Sequence, residues 1–254
     1  MAQHRLRVAL AGLEQGERLL PPDAARYVAR VHRLRPGDRF LAFDPEQALE
    51  ADAQIVSESV DRHQGVLVEL DAPRAALAVS ERAVTLIQAM GKGTKVEAIV
   101  RDATELGVTR LVAVIAERTI KRPSPSALRV ARWRRIAVQA ARQCGRGDVP
   151  ELGAIVSLAE ALARYGPAQP TSLGLCLHPD GSEPLGELLR AAADVRQLIV
   201  VVGPEGGLSP AELELARTLG YRTVRLGGLV MRTETACAAV MGALLAWAPG
   251  GQAP

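Results

Sequence analysis

Two glycine-containing segments follow apolar runs typical of strands, and their residue types suit a ligand-binding loop. The first glycine loop, GPEGG at 203–207, follows LIVVV, and the second glycine loop, LGGLVMRTETA at 226–236, follows TVRL. Glycine lets the backbone approach a ligand closely, although the same residues are common where a chain simply turns out of a strand. Neither loop has GxGxxG spacing or the Lys-Ser/Thr ending of a phosphate loop, so a dinucleotide or NTP site is not supported.

Residues 118–146 are strongly basic, with nine arginine or lysine residues and no acidic residue. At 100° per residue, Arg132, Arg135 and Arg142 fall on one side of a helix whose packed side includes Trp133. A merely solvated helix face remains an alternative, but such faces usually mix both signs of charge, which favours a polyanion-binding surface. The expected RNA contacts are Arg118, Lys121, Arg122, Arg132, Arg135, Arg142 and Arg146.

From Ala83 onward the pattern alternates between apolar strands and helices. Continuous apolar strands separated by helices are typical of a parallel sheet covered on both faces, which predicts an α/β domain. Ligands of such sheets bind at the carboxyl ends of the strands, where both glycine loops lie. The predicted strands are Val84–Met90, Leu111–Ile115, Leu173–Leu177, Leu198–Val202 and Thr223–Leu226, and the predicted helices include 127–143 and two opened by capping boxes at Thr94 and Ser209.

The first 75 residues have a different pattern. The short β-rich runs RLRVAL, RFLAF and GVLVEL lie close together and are separated by turn residues such as RPGD at 35–38, which predicts a small barrel with one helix at Asp23–Leu34. The proline in Asp71–Ala75 interrupts both strand and helix patterns, so this segment is predicted to be a linker. Two domains are therefore expected, 1–75 and 76–254.

The composition is that of a folded protein that works in water. Of the 254 residues, 48% are hydrophobic, yet no apolar run reaches the roughly 20 residues needed to cross a bilayer, and the basic N-terminus does not resemble a secretory signal. We expect a cytoplasmic location. The cysteines Cys144, Cys176 and Cys237 are widely separated, which predicts buried thiols rather than disulfides or a metal site.

The last predicted helix, Ala236–Trp247, contains twelve consecutive uncharged residues. A helix without a polar face has no side suited to water. It is therefore either enclosed within its domain or packed against a second subunit, and the pattern alone does not decide between them.

Five segments resemble the signatures of the bacterial 16S ribosomal RNA uracil-N3 methyltransferases, a family of the SPOUT class. They occur in the family's order, and the resemblance extends over the whole chain, including the RPGD turn. Two departures are Met231, where leucine is expected, and Asp102, where lysine or glutamine is common. The segments are KVEAIVRDATELGV (95–108), Arg132-Trp133, QCGR (143–146), GPEGGLSPAELELA (203–216) and LGGLVMRTETA (226–236).

The resemblance implies a trefoil-knotted α/β domain preceded by a PUA-like barrel, and a homodimer with its active site at the interface. It implies S-adenosyl-L-methionine as cofactor, bound in a bent form, and 16S rRNA or the small ribosomal subunit as substrate. The cofactor contacts that it implies, many of them through the main chain, are Leu177, Gly203, Glu205, Gly206, Leu226, Gly227 and Met231.

Methyl transfer to uracil N3 is an in-line displacement, which requires alignment of donor and acceptor and removal of the N3 proton. It needs no covalent nucleophile, whereas methylation at C5 calls for a thiolate. Arg232 is expected to stabilise the developing uracil anion or to hold RNA phosphate, while Glu205 or Glu234 orients the base or accepts the proton. Glu234 is equally consistent with a residue that favours the N-terminus of the last helix.

Two alternatives remain open. One is another SPOUT RNA methyltransferase that modifies a ribose 2′-OH or another base; such relatives usually carry an Asn- or Ser-rich loop where this chain has RTETA. The other is a noncatalytic rRNA-binding assembly factor. The intact glycine loops argue against a decayed cofactor pocket.

Overall fold

The structure, a computed structural model, describes residues 5–58, 65–80, 82–91, 95–120, 127–192 and 194–247. The chain divides into two compact units: a first unit of Met1–Val79 with Val138–Val149, and a second unit of Ser80–Ala137 with Pro150–Pro254. None of the helices within the described ranges is long and apolar enough to cross a membrane.

The first unit is built on a six-stranded mixed sheet. Its strands are β1 (Arg7–Ala9), β2 (Gly16–Leu19), β3 (Arg39–Asp44), β4 (Leu49–Glu58), β5 (Val66–Leu70) and β6 (Arg74–Ala75). Neighbours follow the order β1-β3-β4-β5-β2, with β6 beside β4; β1 and β3 are parallel and the other pairs are antiparallel. Phe40, Ile55 and Val68 are buried in the core of this unit. The described pairings leave β1 and β2 as unjoined ends, so the closed barrel expected from the sequence is not seen.

Several local features of the first unit differ from the sequence prediction. The predicted helix at Asp23–Leu34 is a short α-helix, α1 (Pro22–Arg26), continued by a π-helical turn at Tyr27–Val31. The predicted linker at Asp71–Ala75 contains β6, which pairs with β4. The RPGD turn is confirmed: the Arg35 amide donates to the Asp38 carboxylate at 2.7 Å, and glycine accommodates the left-handed φ of +93° at position 37.

The second unit contains an eight-stranded sheet whose pairings are all parallel. Its strands are β7 (Ala83–Ala89), β8 (Arg110–Ile115), β9 (Glu151–Leu152), β10 (Val156–Ser157), β11 (Ser172–Leu177), β12 (Glu183–Pro184), β13 (Gln197–Val202) and β14 (Tyr221–Arg225). Their order is β10-β8-β7-β13-β11-β14-β12, with β9 beside β8. The five predicted strands are confirmed within a residue or two, as is the parallel α/β class, because apolar strands such as β7 and β13 are buried along most of their length.

Helices connect these strands. They are α2 (Lys95–Glu105), α3 (Ala127–Cys144), α4 (Leu158–Tyr165), α5 (Leu185–Ala191), α6 (Pro210–Thr218) and α7 (Thr233–Ala246). The capping box that opens α6 is confirmed: Ser209 accepts from the Glu212 amide and Glu212 accepts from the Ser209 amide. The other capping residue, Thr94, lies outside the described residues. Helix α7 packs against α2 and begins three residues before the predicted start, at Thr233.

The strand order explains where a ligand site can form. Strands β7, β13, β11 and β14 are consecutive neighbours and parallel, so their carboxyl ends lie along one edge of the sheet. The first glycine loop leaves β13 at this edge, and the second glycine loop leaves β14. The sheet therefore brings together two loops that are separated by 18 residues in the sequence.

Candidate active site

A cavity of about 330 Å³ lies at the carboxyl ends of β11, β13 and β14. Both glycine loops contribute to its walls, as does the segment after β11, and most of the lining side chains are apolar. The lining residues are Leu177, His178, Pro179, Val202, Gly203, Pro204, Glu205, Gly207, Leu208, Val224, Leu226, Gly227, Leu229, Val230, Met231, Arg232, Thr233 and Ala236.

Six of the seven residues predicted to contact the cofactor line this cavity: Leu177, Gly203, Glu205, Leu226, Gly227 and Met231. The seventh, Gly206, is not among the lining residues; its carbonyl accepts a hydrogen bond from the Arg118 guanidinium at 3.3 Å. A Cβ at Gly206 would lie only 3.2 Å from the Arg118 Cβ, so glycine there permits a close approach between the two chain segments. Gly227 has a φ of +138°, which other residues rarely adopt.

The three catalytic candidates have different positions. Arg232 and Glu205 line the cavity, and Arg232 is exposed. Glu234 is not among the lining residues and lies in the first turn of α7, consistent with the helix-terminus alternative. Lys95, at the start of α2, joins the two carboxylates: its Nζ lies 3.0 Å from Glu205 Oε1 and 3.3 Å from Glu234 Oε2.

Buried polar side chains connect β7 to both glycine loops. Gln88 is fully buried near the end of β7, and its Nε2 donates to the Thr233 hydroxyl at 3.0 Å. Thr233 is also buried, and its hydroxyl donates to the carbonyl oxygen of Gly203 at 2.8 Å. This hydrogen-bonded chain links the second glycine loop to the backbone of the first.

Sequence reasoning did not assign roles to Lys95, Gln88 or Thr233. A signal existed for Gln88, because it is the one amide in the apolar run VTLIQAM, and a polar residue in a buried strand needs a partner. Lys95 gave no comparable signal. A lysine in the first turn of a helix is usually solvated, and its partners lie 110 and 139 positions further along the chain.

Three of the predicted RNA contacts are exposed in the second unit: Arg118, Arg132 and Arg135. Arg132 forms an ion pair with Glu97 of α2, with Nη2 and Oε2 2.8 Å apart. The basic segment is therefore not free of acidic neighbours once the chain is folded, although its own residues include none. The predicted helix at 127–143 is confirmed as α3, and Trp133 lies on its packed side.

Two further predicted RNA contacts belong to the first unit, and both are engaged there. The Arg142 guanidinium lies over the ring of Tyr27, 3.9 Å from its centroid. Arg146 is only 7% exposed and donates to both carboxylate oxygens of Asp148, at 2.7 and 2.9 Å. Lys121 and Arg122, the remaining two, lie outside the described residues.

The cysteines differ in accessibility. Cys176 and Cys237 are buried, and burial raises the pKa of each thiol to about 12. Cys144 is exposed, so the prediction of a buried thiol is wrong for this residue. Within the described ranges, no group of three or more His, Cys, Asp or Glu side chains is placed to hold a metal ion.

Comparison with known proteins identifies the class to which this parallel sheet and cavity belong. The profile of a family described as RNA methyltransferase domain matches residues 79–245, which contain both glycine loops. Within that class, the chain belongs to the family of ribosomal RNA small subunit methyltransferase E. It is 31% identical to the protein of that name from Synechocystis sp., over 92% of this chain and 74% of the relative. The Mycobacterium bovis protein of the same name is 32% identical, over 87% of this chain and 83% of its own length.

Solved structures agree with this assignment. The ribosomal RNA small subunit methyltransferase E of Neisseria gonorrhoeae, bound to S-adenosyl methionine, superposes with a TM-score of 0.82 at 30% identity, covering 95% of this chain and 97% of the other. A methyltransferase from Legionella pneumophila in complex with the same cofactor gives a TM-score of 0.81 at 28% identity, with the same coverage.

Proposed function

We propose that this chain transfers a methyl group from S-adenosyl-L-methionine to N3 of a specific uridine in 16S ribosomal RNA. The observation that carries the proposal is the cavity at the strand ends, which is lined by both glycine loops and also by Arg232 and Glu205. The cofactor bound in the N. gonorrhoeae relative supports it, since that structure superposes over nearly the whole chain.

The cavity suits this cofactor in size and chemistry. Its volume of about 330 Å³ lies within the range of roughly 300–1,000 Å³ usual for small-molecule sites. Its walls are largely apolar, and at Gly203 and Gly227 the backbone itself forms part of them, where no side chain intervenes. We assign the cofactor contacts, mainly through the main chain, to Leu177, Gly203, Glu205, Gly206, Leu226, Gly227 and Met231.

The reaction requires an N3–CH₃ bond to form while an S–CH₃ bond breaks, and the N3 proton must leave. When bound, the cofactor supplies the methyl group already activated on a sulfonium. Arg232 lines the cavity, and we assign to it the stabilisation of negative charge that develops on the uracil ring. Of the two candidate carboxylates, Glu205 lines the cavity, where it can orient the base or accept the proton. The high pKa values of Cys176 and Cys237 leave these thiols protonated, which fits transfer to nitrogen rather than to C5.

We further propose that the rRNA is held by arginine–phosphate contacts and by residues 1–75 acting as a PUA-like RNA-binding domain before the methyltransferase domain of residues 76–254. Arg118, Arg132 and Arg135 are exposed, so phosphates can reach them, and a phosphate at Arg132 would compete with its ion pair to Glu97. The proposed contacts also include Lys121, Arg122, Arg142 and Arg146. Arg146 already forms an ion pair with Asp148. We therefore propose that it shapes the RNA-binding surface and contributes little net positive charge to it.

A homodimer with a trefoil knot in each subunit, working in the cytoplasm, completes the proposal. Helix α7 supports the dimer: beside its buried residues it exposes apolar ones, such as Leu245, which is 65% exposed. Leu229 and Val230 of the second glycine loop are also exposed, by 84% and 81%. Exposed apolar groups next to a cavity are suited to burial by a second subunit.

The test is to incubate the purified protein with labelled S-adenosyl-L-methionine and small ribosomal subunits that lack uracil methylation. The RNA is then digested and the methylated nucleoside identified by mass spectrometry. We expect N3-methyluridine. Label on ribose or another base would refute the N3 assignment in favour of another SPOUT methyltransferase. Absence of both transfer and cofactor binding would indicate a noncatalytic RNA-binding factor.

A further inference from the structure

A lysine outside the two glycine loops makes ion pairs with a carboxylate from each. Lys95 Nζ lies 3.0 Å from Glu205 Oε1 and 3.3 Å from Glu234 Oε2, and we call these three residues the carboxylate bridge. Its members come from the first turn of α2, the first glycine loop and the first turn of α7. One ammonium group therefore connects the two loops that wall the cavity.

The two carboxylates of the bridge are not equivalent. Glu205 lines the cavity, whereas Glu234 is not among its lining residues. Glu234 Oε2 is buried, and the Lys95 ammonium group lies 3.3 Å from it. The pKa of Glu234 is lowered, first by a hydrogen bond from its own backbone amide at the helix N-terminus and then by Lys95. Glu234 therefore meets Lys95 from outside the set of residues that line the cavity.

Lys95 itself is fixed as a cation. Its hydrogen bond with Glu205 is the largest of the effects that raise the lysine pKa, and Glu234 adds to it. An amine whose pKa is raised stays protonated near neutral pH, so Lys95 cannot accept the N3 proton. The role left for the Lys95 ammonium group is to hold carboxylates in place by ion pairing.

We propose that Lys95 is a positioning residue: anchored by Glu234, it holds Glu205 in the orientation in which that carboxylate faces the uracil. Glu234 then acts only through Lys95, and Glu205 is the member of the bridge that meets the substrate. This inference rests on the proposed methyltransferase function. It assigns separate roles to two glutamates that the sequence leaves interchangeable.

The charged groups that face Lys95 define what its removal would do. Among the described residues they are Glu205 from the first glycine loop and Glu234 from α7, with Arg232 acting electrostatically on Glu234. Without the ammonium group, Glu205 loses its ion pair with Lys95, and Glu234 faces a neutral side chain. Glu205 would then adopt more than one orientation.

The experiment compares Lys95→Met, Lys95→Arg and Glu234→Gln with the wild-type chain in the methylation assay. For Lys95→Met we expect kcat to fall about 10- to 100-fold, the cost typical of a misplaced reacting group. The KM for S-adenosyl-L-methionine should change by less than about 3-fold, because the cofactor contacts are largely main-chain. Lys95→Arg should recover most of the lost kcat, since it retains the charge.

A double-mutant cycle tests the order of action. If Glu234 acts only through Lys95, then Glu234→Gln lowers kcat in the wild-type background and has no further effect in the Lys95→Met background. Additive losses in the double variant would overturn the proposal, because they would mean that Glu234 acts on the reaction independently.

Arg101→Met is the matched control, since Arg101 is on the same helix and, among the described residues, forms its ion pair with the adjacent Asp102. It should retain wild-type kcat, and the thermal midpoints of all variants establish that they are folded. If Lys95→Met behaves like Arg101→Met, or if Lys95→Arg restores nothing, Lys95 is not a positioning residue. Failure of the wild-type chain to form N3-methyluridine would instead refute the proposed function itself, so the two failures are distinguishable.

Discussion

The Thr233 hydroxyl is the junction between the two glycine loops, and its removal is a direct test of the site's architecture. It accepts from Gln88 Nε2 at 3.0 Å and donates to the Gly203 carbonyl at 2.8 Å. Thr233→Val keeps the branched shape and removes both hydrogen bonds. The carbonyl oxygen of Gly203 loses this donor, and the buried amide of Gln88 keeps only its bond to the Ala89 carbonyl.

The expected cost follows from burial. Thr233 is 5% exposed and Gln88 is fully buried, so water cannot readily replace the lost bonds. Each intramolecular hydrogen bond contributes about 0.5–1.5 kcal/mol net, and leaving a buried group unsatisfied costs about 1–3 kcal/mol. We expect Thr233→Val to lower the free energy of unfolding by about 2 kcal/mol. For a unit of this size, that corresponds to a fall of about 4–8 °C in the thermal midpoint.

Urea unfolding followed by circular dichroism measures the loss, and repeating it with S-adenosyl-L-methionine reports on the site. Ligand binding stabilises the native state by RT ln(1 + L/Kd), where L is the free ligand concentration, so weaker cofactor binding at a displaced Gly203 should reduce the stabilisation that the cofactor provides. Thr218→Val is the control, since that hydroxyl donates to the Glu214 carbonyl on an exposed face of α6. It should cost less than about 0.5 kcal/mol. Equal effects of the two substitutions would refute the reasoning.

Three further expectations concern the reaction, the thiols and the assembly. Arg232→Ala should retain cofactor binding measured by calorimetry and lose at least about 100-fold in turnover, since it removes transition-state stabilisation; survival of turnover would show that another group does this work. At pH 8 iodoacetamide should alkylate Cys144 and spare Cys176 and Cys237, because a pKa of about 12 keeps the two buried thiols protonated. Mass spectrometry of tryptic peptides measures this, and alkylation of Cys176 or Cys237 in the folded protein would contradict it. Leu245→Glu should convert a dimer into a monomer in sedimentation velocity, because it places a charge in the proposed interface; an unchanged sedimentation coefficient would locate the interface elsewhere or exclude it.

The parallel sheet could be predicted because the sequences of its central strands are almost continuously apolar. Runs such as LIVVV are apolar at every position, which only a strand covered on both faces tolerates. Strand β4 was not predicted, because its hydrophobic pattern is weak. In LEADAQIVSE the inward positions include two alanines, Ala51 and Ala53, which alternate with acidic residues and give a weak hydrophobic period. The π-helical turn at Tyr27–Val31 leaves no comparable trace in the sequence.

The candidate site was predictable where it consists of loops that follow strands. The carboxyl ends of parallel strands share one edge, so a glycine loop after each of two strands was enough to locate the cavity. Partnerships between helices were not predictable. The basic segment contains no acidic residue, yet folding places Glu97 of α2 against Arg132 of α3. Spacing within a helix does not report which element will pack beside it.

The two glycine loops are joined by two chemically independent links, and these links restrict how far the walls of the cavity can move. One link is neutral and buried, from Gln88 through Thr233 to Gly203. The other is ionic and partly exposed, through Lys95. Glycine gives each loop the freedom to bring its backbone close to a ligand, but the same freedom costs entropy if the loop must order on binding. Cross-links between the loops restrict that freedom before the ligand arrives. The site is therefore preorganised, and weakening either link should lower cofactor affinity or turnover.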